Sequence, residues 1–203
     1  MFAEEVADLA REMPDVHVAG FVENLDRSRC GPAALEGLPV YWIDDLGPLL
    51  GSHVAVCALG TTRRRDFILD AQRRGLAFTT LIHPSSRVSP SAQLGEGCIV
   101  SVQVAVAAHT EIGSHCILNR GALVGHHLRL GSFSTVGPGT RLGGASRYGQ
   151  GVYKGIGATL VDYLEIGDHT VVGAGSVVTR SLPARVKAYG VPARVVAEGI
   201  EGR

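Results

Sequence analysis

The sequence predicts two parts: an α/β subdomain of the Rossmann-like kind and, after it, a left-handed parallel β-helix. Three observations support this prediction. Aliphatic side chains recur at every sixth residue from Val88 to Val178, glycine follows most of them, and helix-like and strand-like segments alternate before residue 82. A hexapeptide repeat is typical of a parallel β-helix, and alternating strands and helices are typical of a small parallel sheet.

The hexapeptide repeat runs through sixteen units without an insertion, and it departs from the aliphatic rule only at Tyr148 and Lys154. Glycine is the next residue in ten of the sixteen units. Aliphatic side chains suit a narrow prism in which each stacks on its equivalent in the next coil, and glycine suits corners where the backbone needs a positive φ. The repeating positions are Val88, Leu94, Val100, Val106, Ile112, Leu118, Val124, Leu130, Val136, Leu142, Tyr148, Lys154, Leu160, Ile166, Val172 and Val178.

Three hexapeptides are expected to form one triangular coil, so that residues 18 positions apart stack at about 4.8 Å, the spacing of paired strands. The repeat then makes roughly five coils. One outward column alternates in charge, and we interpret it as a solvated ladder that contributes little to stability. It consists of Gln93, Glu111, Arg129, Arg147 and Glu165.

The two exceptional side chains lie beside or within the glycine-rich segment GQGVYKGIGAT, residues 149–159. This composition predicts a locally irregular coil around Tyr148 and Lys154. Such a coil is either a ligand contact or a simple adjustment of register, and the sequence favours neither.

The first 82 residues show helical and strand-like patterns in alternation, which predicts a parallel sheet with helices packed on it. The chain begins inside the first predicted helix, so the first strand of a Rossmann-like unit is missing from this prediction. The predicted elements are a helix with Val6, Leu9, Ala10 and Met13 on one face, strands at Val16–Val22, Val40–Trp42, His53–Leu59 and Phe78–Ile82, and helices at Asp44–Leu50 and Thr62–Arg74.

Composition and charge exclude several classes of protein. Nineteen basic and nineteen acidic residues leave no net charge, so nothing indicates a general affinity for nucleic acid or anionic membranes. No apolar run approaches the roughly 18 to 20 residues of a membrane span, and the opening MFAEEVADLA lacks the parts of a signal peptide. We therefore expect a cytoplasmic protein. Cys98 and Cys116 take small positions of the repeat and are predicted to fill the core, with no disulfide and no zinc.

The strongest candidate for chemistry is the segment GHHLRLG, residues 125–131. His126 and His127 take the second and third places after Val124, which face outward in this repeat. An imidazole is the usual general base for an amine or hydroxyl nucleophile. Gly144 lies 18 residues after His126 and should stack on it, where a bare backbone N–H could polarise a thioester carbonyl and hold the oxyanion.

The remaining histidines are predicted to be structural or solvent-exposed. His109 should stack on His127, while His115 and His169 take outward or turn positions and His83 precedes a proline. No Ser/His/Asp arrangement follows from the spacing, and no GxGxxG or P-loop motif is present. A zinc site on His109 and His127 would lack a third ligand, so no metal is predicted.

Several segments share their order and spacing with one family of enzymes. They are FVEN and CALG after predicted strands, the junction LIHPSSRVSPSA, the segment NRGALVGHHLRLGSFSTVGPGTRLGG, then VVGAGSVVTRSLPARV and the closing YGVPARVV. On these segments, which cover nearly the whole length, the chain resembles bacterial sugar O- and N-acetyltransferases. The relevant types are the sialic acid O-acetyltransferases and the UDP-4-amino-sugar N-acetyltransferases.

The resemblance implies a homotrimer in which acetyl-CoA lies along the β-helix between two subunits, while a nucleotide-sugar reaches in from one N-terminal subdomain. By motif match, His126 takes the general-base position and Gly144 the position beside the thioester. The other positions implied for acetyl-CoA are Thr135, Ile156, Ala174 and Arg194. The positions implied for the acceptor are Glu23, Asn24, Gly60 and His127.

The chain departs from the family in three places. The family follows its catalytic histidine with an acidic residue, and this chain has His127 there. A further histidine near CoA in some members is Thr135 here, and the strand and glycine-rich loop that precede the first helix in relatives do not appear in this sequence. That loop would supply amides for a phosphate at the helix N-terminus.

The predicted function is acetyl-CoA-dependent transfer of an acetyl group to an amine of a nucleotide-linked sugar, with His126 as the base. Two alternatives remain at this point: the same scaffold with another acceptor or acyl donor, such as a sialic acid hydroxyl or a non-sugar amine, and a non-catalytic β-helix trimer. The predicted division is an acceptor-binding subdomain at 1–82, an acyltransferase domain at 83–180 and a C-terminal tail at 181–203.

Overall fold

The computed structural model describes residues 2–203. Its N-terminal part contains two helices, α1 (Phe2–Arg11) and α2 (Arg65–Arg73). Short 3-10 turns occupy Arg27–Arg29, Ile43–Asp45, Gly47–Leu49 and Thr62–Arg64. The strands of this part are β1 (Phe21–Glu23), β2 (Gly31–Leu35), β3 (Leu38–Trp42), β4 (Val54–Ala55) and β5 (Ala77–Phe78).

These strands form two small sheets instead of the one parallel sheet that the sequence predicted. Strand β3 pairs in parallel with β1 and antiparallel with β2, and β4 pairs in parallel with β5. Strand β2 was not predicted, because its Gly31-Pro32 start does not look like a strand. Glu36 and Gly37, with φ values of 51° and 74°, close the β2–β3 hairpin in the left-handed conformation that short hairpin loops favour.

Two other predicted elements differ from the structure. The helix predicted at Asp44–Leu50 is a pair of 3-10 turns, because Pro48 cannot donate the backbone hydrogen bond that an α-helix needs. The strand predicted at Phe78–Ile82 is split between β5 and β6 (Leu81–Ile82). Strand β6 pairs with β9 (Ile99–Val100) and so belongs to the β-helix that follows.

The β-helix is a triangular prism with three faces of parallel strands. Face 1 contains β6, β9 (Ile99–Val100), β12 (Ile117–Leu118), β15 (Thr135–Val136), β18 (Tyr153–Lys154) and β21 (Val171–Val172), and the tail adds β23 (Lys187–Gly190) and β24 (Ala193–Ala197). Face 2 contains β7 (Arg87–Val88), β10 (Ala105–Val106), β13 (Leu123–Val124), β16 (Arg141–Leu142), β19 (Thr159–Leu160) and β22 (Val177–Val178). Face 3 contains β8 (Gln93–Leu94), β11 (Glu111–Ile112), β14 (Arg129–Leu130), β17 (Arg147–Tyr148) and β20 (Glu165–Ile166).

The predicted coil of 18 residues is confirmed by the strand register. Val124 pairs with Leu142 on face 2, and Leu130 pairs with Tyr148 on face 3. The irregular coil predicted around Tyr148 and Lys154 is wrong, because Lys154 pairs in register with Val136 on one side and with Val172 on the other. Both exceptional side chains therefore point into the prism, where the aliphatic pattern places every other member of their column.

Lys154 is the unusual residue of the prism interior. Its side chain is fully buried, its Nζ has no hydrogen-bond partner, and that nitrogen lies 4.9 Å from the centre of the Tyr148 ring. Burial disfavours the charged ammonium and lowers the pKa of Lys154 to about 7. The Tyr148 hydroxyl is also buried without a partner, and burial raises the pKa of Tyr148.

The role predicted for the repeat glycines is also corrected. Positive φ occurs at the third residue after most inward side chains, as at His127 (54°) and Phe133 (61°), and the glycine that directly follows the inward residue lies outside that region. That glycine is needed for close approach between coils: a Cβ on Gly125 would lie 2.6 Å from the backbone nitrogen of Gly144.

The N-terminal part packs on face 1. Val6, Leu9 and Ala10 of α1 contact Ile99 and Ile117, which project outward from that face. The division at residues 82 and 180 stays a prediction, because strand pairing does not show which segments fold independently. No helix within residues 2–203 is long and apolar enough to cross a membrane.

Candidate active site

The corner between faces 2 and 3 brings His126 and Gly144 together. Both residues follow the inward residue of a face 2 strand by two positions, in consecutive coils. His126 is exposed, and its ring lies against Gly144: a Cβ added to that glycine would be 2.9 Å from both Cε1 and Nε2 of His126. The stacking predicted from the 18-residue spacing is therefore present, and no side chain separates the imidazole from the Gly144 backbone.

A second imidazole adjoins the first. The Nδ1 atoms of His126 and His127 are 3.1 Å apart, and the two rings stand at 84°. His109 lies one coil away from His127, with ring centres 4.9 Å apart, as the sequence predicted. His127 and His109 open onto a groove of about 480 Å³ that Glu111, Arg129, Ala145 and Arg147 also line.

The backbone amide of Gly144 is not bare, which differs from the sequence prediction. Its N–H donates to the Asp162 carboxylate at 2.5 Å. Asp162 stands one further coil along the same corner, so the 18-residue rule could have identified it from the sequence. Asp168 caps the amide of Gln150 in the same way at another corner, so this contact is a recurrent device of the prism.

The residues that the resemblance implied for acetyl-CoA lie in three places. Ile156 and Ala174 are exposed and occupy equivalent positions in consecutive coils, at the corner between faces 1 and 2. Arg194 is exposed on β24. Thr135 is apart from them: it lies on face 1, is only 4% exposed, and its hydroxyl accepts a hydrogen bond from Arg64.

The residues implied for the acceptor are also divided. Gly60 and Thr61 line a cavity of about 360 Å³ between the N-terminal part and face 1, together with Phe2, Asn119, Pro138, Tyr153 and other residues. Glu23 ends strand β1, Asn24 follows it, and neither residue lines this cavity. The Glu23 carboxylate accepts hydrogen bonds from the backbone amides of Asn24 and Leu25 and so shapes its own loop.

Sequence reasoning missed Arg64, which joins the Thr61 loop beside this cavity to the β-helix. Its guanidinium is fully buried and donates to the carbonyl of Thr61 (2.8 Å), the hydroxyl of Thr135 (2.9 Å) and the carbonyls of Ser134 (2.8 Å) and His115 (3.0 Å). These acceptors replace a carboxylate around the buried cation. No short motif signals the contact, because its partners lie up to 71 residues away in the sequence.

The two halves of the candidate site lie on opposite sides of one chain. His126 occupies the corner between faces 2 and 3, and the cavity beside Gly60 adjoins face 1. In a triangular prism, that corner is the one farthest from face 1. The cavity and His126 of one chain therefore lie across the prism from each other. Within residues 2–203, no group of three or more His, Cys, Asp or Glu side chains is arranged as metal ligands.

Comparison with solved structures shows the family. One similar structure is a mutant perosamine N-acetyltransferase from Caulobacter crescentus in complex with CoA and GDP-perosamine. The two sequences are 35% identical, the alignment covers 97% of this chain and 93% of the perosamine N-acetyltransferase chain, and the TM-score is 0.88. The acetyltransferase domain of PglB from Neisseria gonorrhoeae, in complex with acetyl coenzyme A, is 29% identical with coverages of 96% and 94% and a TM-score of 0.86.

Two curated relatives match shorter stretches of the chain. A galactoside O-acetyltransferase from Escherichia coli is 58% identical over 33 residues, which are 16% of each protein. A serine acetyltransferase from Buchnera aphidicola is 39% identical over 49 residues, which are 24% of this chain and 18% of the relative. The chain thus spans less than a fifth of these two proteins. No protein-family model matches the chain.

The prism, the His126 corner and the similarity over almost the full length define the class. The chain belongs to the bacterial sugar O- and N-acetyltransferase family of hexapeptide-repeat acyltransferases. It is an acyltransferase with an N-terminal Rossmann-like subdomain, as the sequence predicted.

Proposed function

We propose that the protein transfers an acetyl group from acetyl-CoA to an amino group of a nucleotide-linked sugar, with His126 as the general base. The observation that carries this proposal is the His126 imidazole lying against the side-chain-free Gly144 at an exposed corner. Support comes from the full-length similarity to an N-acetyltransferase whose structure contains CoA and GDP-perosamine.

His126 acts through Nε2, the ring nitrogen beside Gly144. As the amine nitrogen of the sugar forms a bond to the carbonyl carbon of the thioester, Nε2 takes the proton that this nitrogen loses. The tetrahedral intermediate then collapses with cleavage of the carbon–sulfur bond. The CoA thiolate leaves and receives the proton held by His126, so the base is restored for the next turnover.

Gly144 gives the thioester access to the imidazole and offers its amide to the carbonyl oxygen. A backbone N–H aimed at a developing oxyanion typically contributes about 10²–10³-fold to the rate. Because this N–H donates to Asp162 in the free protein, the carbonyl oxygen has to share it or take the place of the carboxylate. The amide thus becomes an oxyanion donor when acetyl-CoA binds.

The remainder of acetyl-CoA is proposed to run across face 2 from the Gly144 corner to the opposite one. Ile156, which is 59% exposed, and Ala174 offer small or apolar contacts for the pantetheine and adenine there. Arg194 offers a cation for the CoA phosphates. Thr135 holds Arg64 on face 1, and we assign it to the domain junction and not to the CoA groove.

The nucleotide-sugar is proposed to bind in the cavity beside Gly60. The cavity lies at the N-terminus of α1, marked by Phe2, and at the loop before α2, where backbone amides suit an anionic diphosphate. Glu23 and Asn24, at the end of β1, are proposed to hold the nucleoside part. His127 would meet the incoming sugar beside His126.

The assembly is proposed to be a homotrimer in the cytoplasm, where acetyl-CoA is available. Since the acceptor cavity and the His126 corner of one chain face opposite ways, a complete site needs the cavity of one subunit and the corner of another. In a closed ring of three identical subunits, each cavity adjoins the His126 corner of a neighbouring subunit.

The test measures thiol release from acetyl-CoA with a panel of UDP-, GDP- and dTDP-linked amino sugars, in wild type and in His126→Ala. We expect release with at least one amino sugar and a loss of about 10²–10⁴-fold in kcat in the variant. The control is His53→Ala, an exposed histidine of the N-terminal part whose Nδ1 is hydrogen-bonded to the Ser52 hydroxyl. If wild type binds CoA and no acceptor raises release above the His126→Ala level, the proposal is wrong.

An oxygen acceptor is the second candidate, and it is favoured by the two curated relatives, of which one is a galactoside O-acetyltransferase and one a serine acetyltransferase. The same panel separates the two candidates when each amino sugar is paired with its hydroxyl analogue. Acetylation of the hydroxyl compounds at the higher kcat/KM would replace the amine by an oxygen nucleophile while leaving His126 as the base.

A further inference from the structure

The contact between His126 and His127 determines which nitrogen of the base carries a proton. The two Nδ1 atoms are 3.1 Å apart, which is hydrogen-bonding distance. A neutral imidazole has one N–H and one acceptor nitrogen, so only one of these Nδ1 atoms donates. Either His126 donates to His127, or His127 donates to His126.

Only the first arrangement leaves His126 able to act as the proposed base. When His126 donates from Nδ1, its Nε2 beside Gly144 has a free lone pair. When His127 donates instead, His126 carries its hydrogen on Nε2 and cannot accept a proton from the amine there. The state of His127 therefore controls the chemistry at a nitrogen that it does not touch.

We propose that His127 is the positioning residue of this enzyme: its unprotonated Nδ1 accepts from His126 Nδ1–H and holds the base in the reactive tautomer. The inference rests on the proposed function, since it takes His126 as the base. The Nδ1 of neutral His127 thus takes the part that a carboxylate would otherwise have in orienting the His126 imidazole. When His126 gains a proton at Nε2, it keeps the same bond to His127.

The backbone explains how neighbouring residues face each other in this way. His127 has φ 54° and occupies the corner position at which His109, Ala145 and Tyr163 of other coils also adopt the left-handed conformation. The groups that face His127 from neighbouring elements are His109 on one side and Glu111, Arg129 and Arg147 along the groove. Glu111 pairs with Arg129 at 3.1 Å, so the groove holds a mixed set of charges around the acceptor.

One consequence distinguishes this arrangement from a carboxylate partner. An imidazole that has bound a second proton has hydrogens on both nitrogens and accepts none. Protonation of His127 therefore removes the acceptor and stops catalysis in the same way as protonation of His126. A variant whose acceptor does not titrate should lose less activity as the pH falls.

The test compares His127→Asn, His127→Glu and His127→Phe, in the full chain with acetyl-CoA and the best acceptor of the panel. Asparagine and glutamate keep an oxygen acceptor, and phenylalanine keeps the ring without one. Phe133 occupies the equivalent corner position at φ 61°, so phenylalanine is compatible with this backbone. His109→Phe is the matched control, because it alters the neighbouring ring without touching His126.

We expect His127→Phe to lower kcat by roughly 10- to 100-fold, as loss of an orienting partner of an imidazole does elsewhere, with little change in KM for acetyl-CoA. His127→Asn and His127→Glu should restore most of kcat, and the kcat/KM of His127→Asn, whose amide does not titrate, should fall less steeply with decreasing pH than that of wild type. In ¹⁵N-histidine spectra, wild-type His126 should carry its proton on Nδ1.

Equal kcat for the asparagine and phenylalanine variants would overturn the proposal, and so would a wild-type His126 protonated on Nε2. Unchanged melting temperatures establish that the variants fold. The outcome is separable from the proposed function: an active His126→Ala removes the base itself, whereas an inactive His126→Ala with a fully active His127→Phe removes only the role given to His127.

Discussion

Replacing Lys154 by leucine should stabilise the protein, and the gain should be larger at neutral than at alkaline pH. The lysine is fully buried, its Nζ lacks a hydrogen-bond partner, and its strand neighbours in the same column are Val136 and Val172. Leucine suits this inward position, because Leu118 in the same column and Leu160 at the matching position on face 2 are fully or nearly fully buried.

The magnitude follows from the pKa of Lys154, which burial lowers from 10.5 to about 7. Each pKa unit corresponds to about 1.4 kcal/mol, so burial of the ammonium destabilises the folded state by up to about 5 kcal/mol at pH 7. Between pH 7 and 10.5 the unfolded chain binds a proton that the folded chain does not. The contribution of Lys154 to stability should therefore rise with pH across this window. Cys57, whose pKa is raised by burial, lowers stability over the same window in wild type and variant alike, so the difference between the two proteins isolates Lys154.

Guanidinium unfolding of wild type and Lys154→Leu at several pH values between 7 and 9.5 measures this effect. The upper limit avoids ionisation of unfolded tyrosine, because the raised pKa of Tyr148 makes stability fall as pH rises through about 10. The stability gain in the variant should shrink from up to about 5 kcal/mol toward about 1 kcal/mol. Lys187→Leu is the control, since Lys187 also lies over a tyrosine ring and is not fully buried.

A stability gain in Lys154→Leu that stays the same between pH 7 and 9.5 would refute this reasoning. It would mean that the folded protein keeps the Lys154 ammonium charged and satisfied.

Two further substitutions test the site and its support. Gly144→Ala should lower kcat about 100-fold or more, because the new Cβ would lie 2.9 Å from the His126 ring. The control is Gly47→Ala, whose Cβ would meet no atom within 4 Å and which should leave kcat unchanged. Steady-state kinetics of the two variants measures the difference. Arg64→Met should lower the free energy of unfolding by about 3 kcal/mol, because it leaves buried carbonyls without donors. It should also raise KM for the acceptor, because the Thr61 loop loses its bond to Arg64. A variant as stable as wild type in chemical denaturation would contradict this.

The β-helix could be predicted because its stability comes from contacts at a fixed sequence interval. Every inward residue meets its equivalents 18 positions away, so the pattern at Val124 and Leu142 already contains the tertiary contact. The same interval predicted that His126 and Gly144 lie side by side, and it could also have predicted that Asp162 lies beside Gly144.

The N-terminal part could be predicted only in outline, because its contacts have no period. The β2–β3 hairpin depends on the conformations of Glu36 and Gly37, and Arg64 depends on carbonyls of distant coils. The burial of Lys154 was missed for a different reason. A lysine in an aliphatic column indicates a break in the pattern. In the structure the strands keep their register, and the Lys154 side chain is buried although burial destabilises its charged form.

We propose that each active site joins the acceptor cavity of one subunit to the His126 corner of another. Mixing two inactive variants measures this directly. His126→Ala lacks the base, and Gly60→Trp fills the cavity at a position where an added Cβ meets no atom within 4 Å. Each variant is produced alone and co-expressed with the other, and thiol release is measured.

Each variant alone should be inactive, and the mixture should recover about a quarter of wild-type activity, because random assembly of closed trimers pairs an intact corner with an intact cavity at about one interface in four. A mixture as inactive as its parents, or a wild-type enzyme that is active as a single chain in solution, would contradict the shared site.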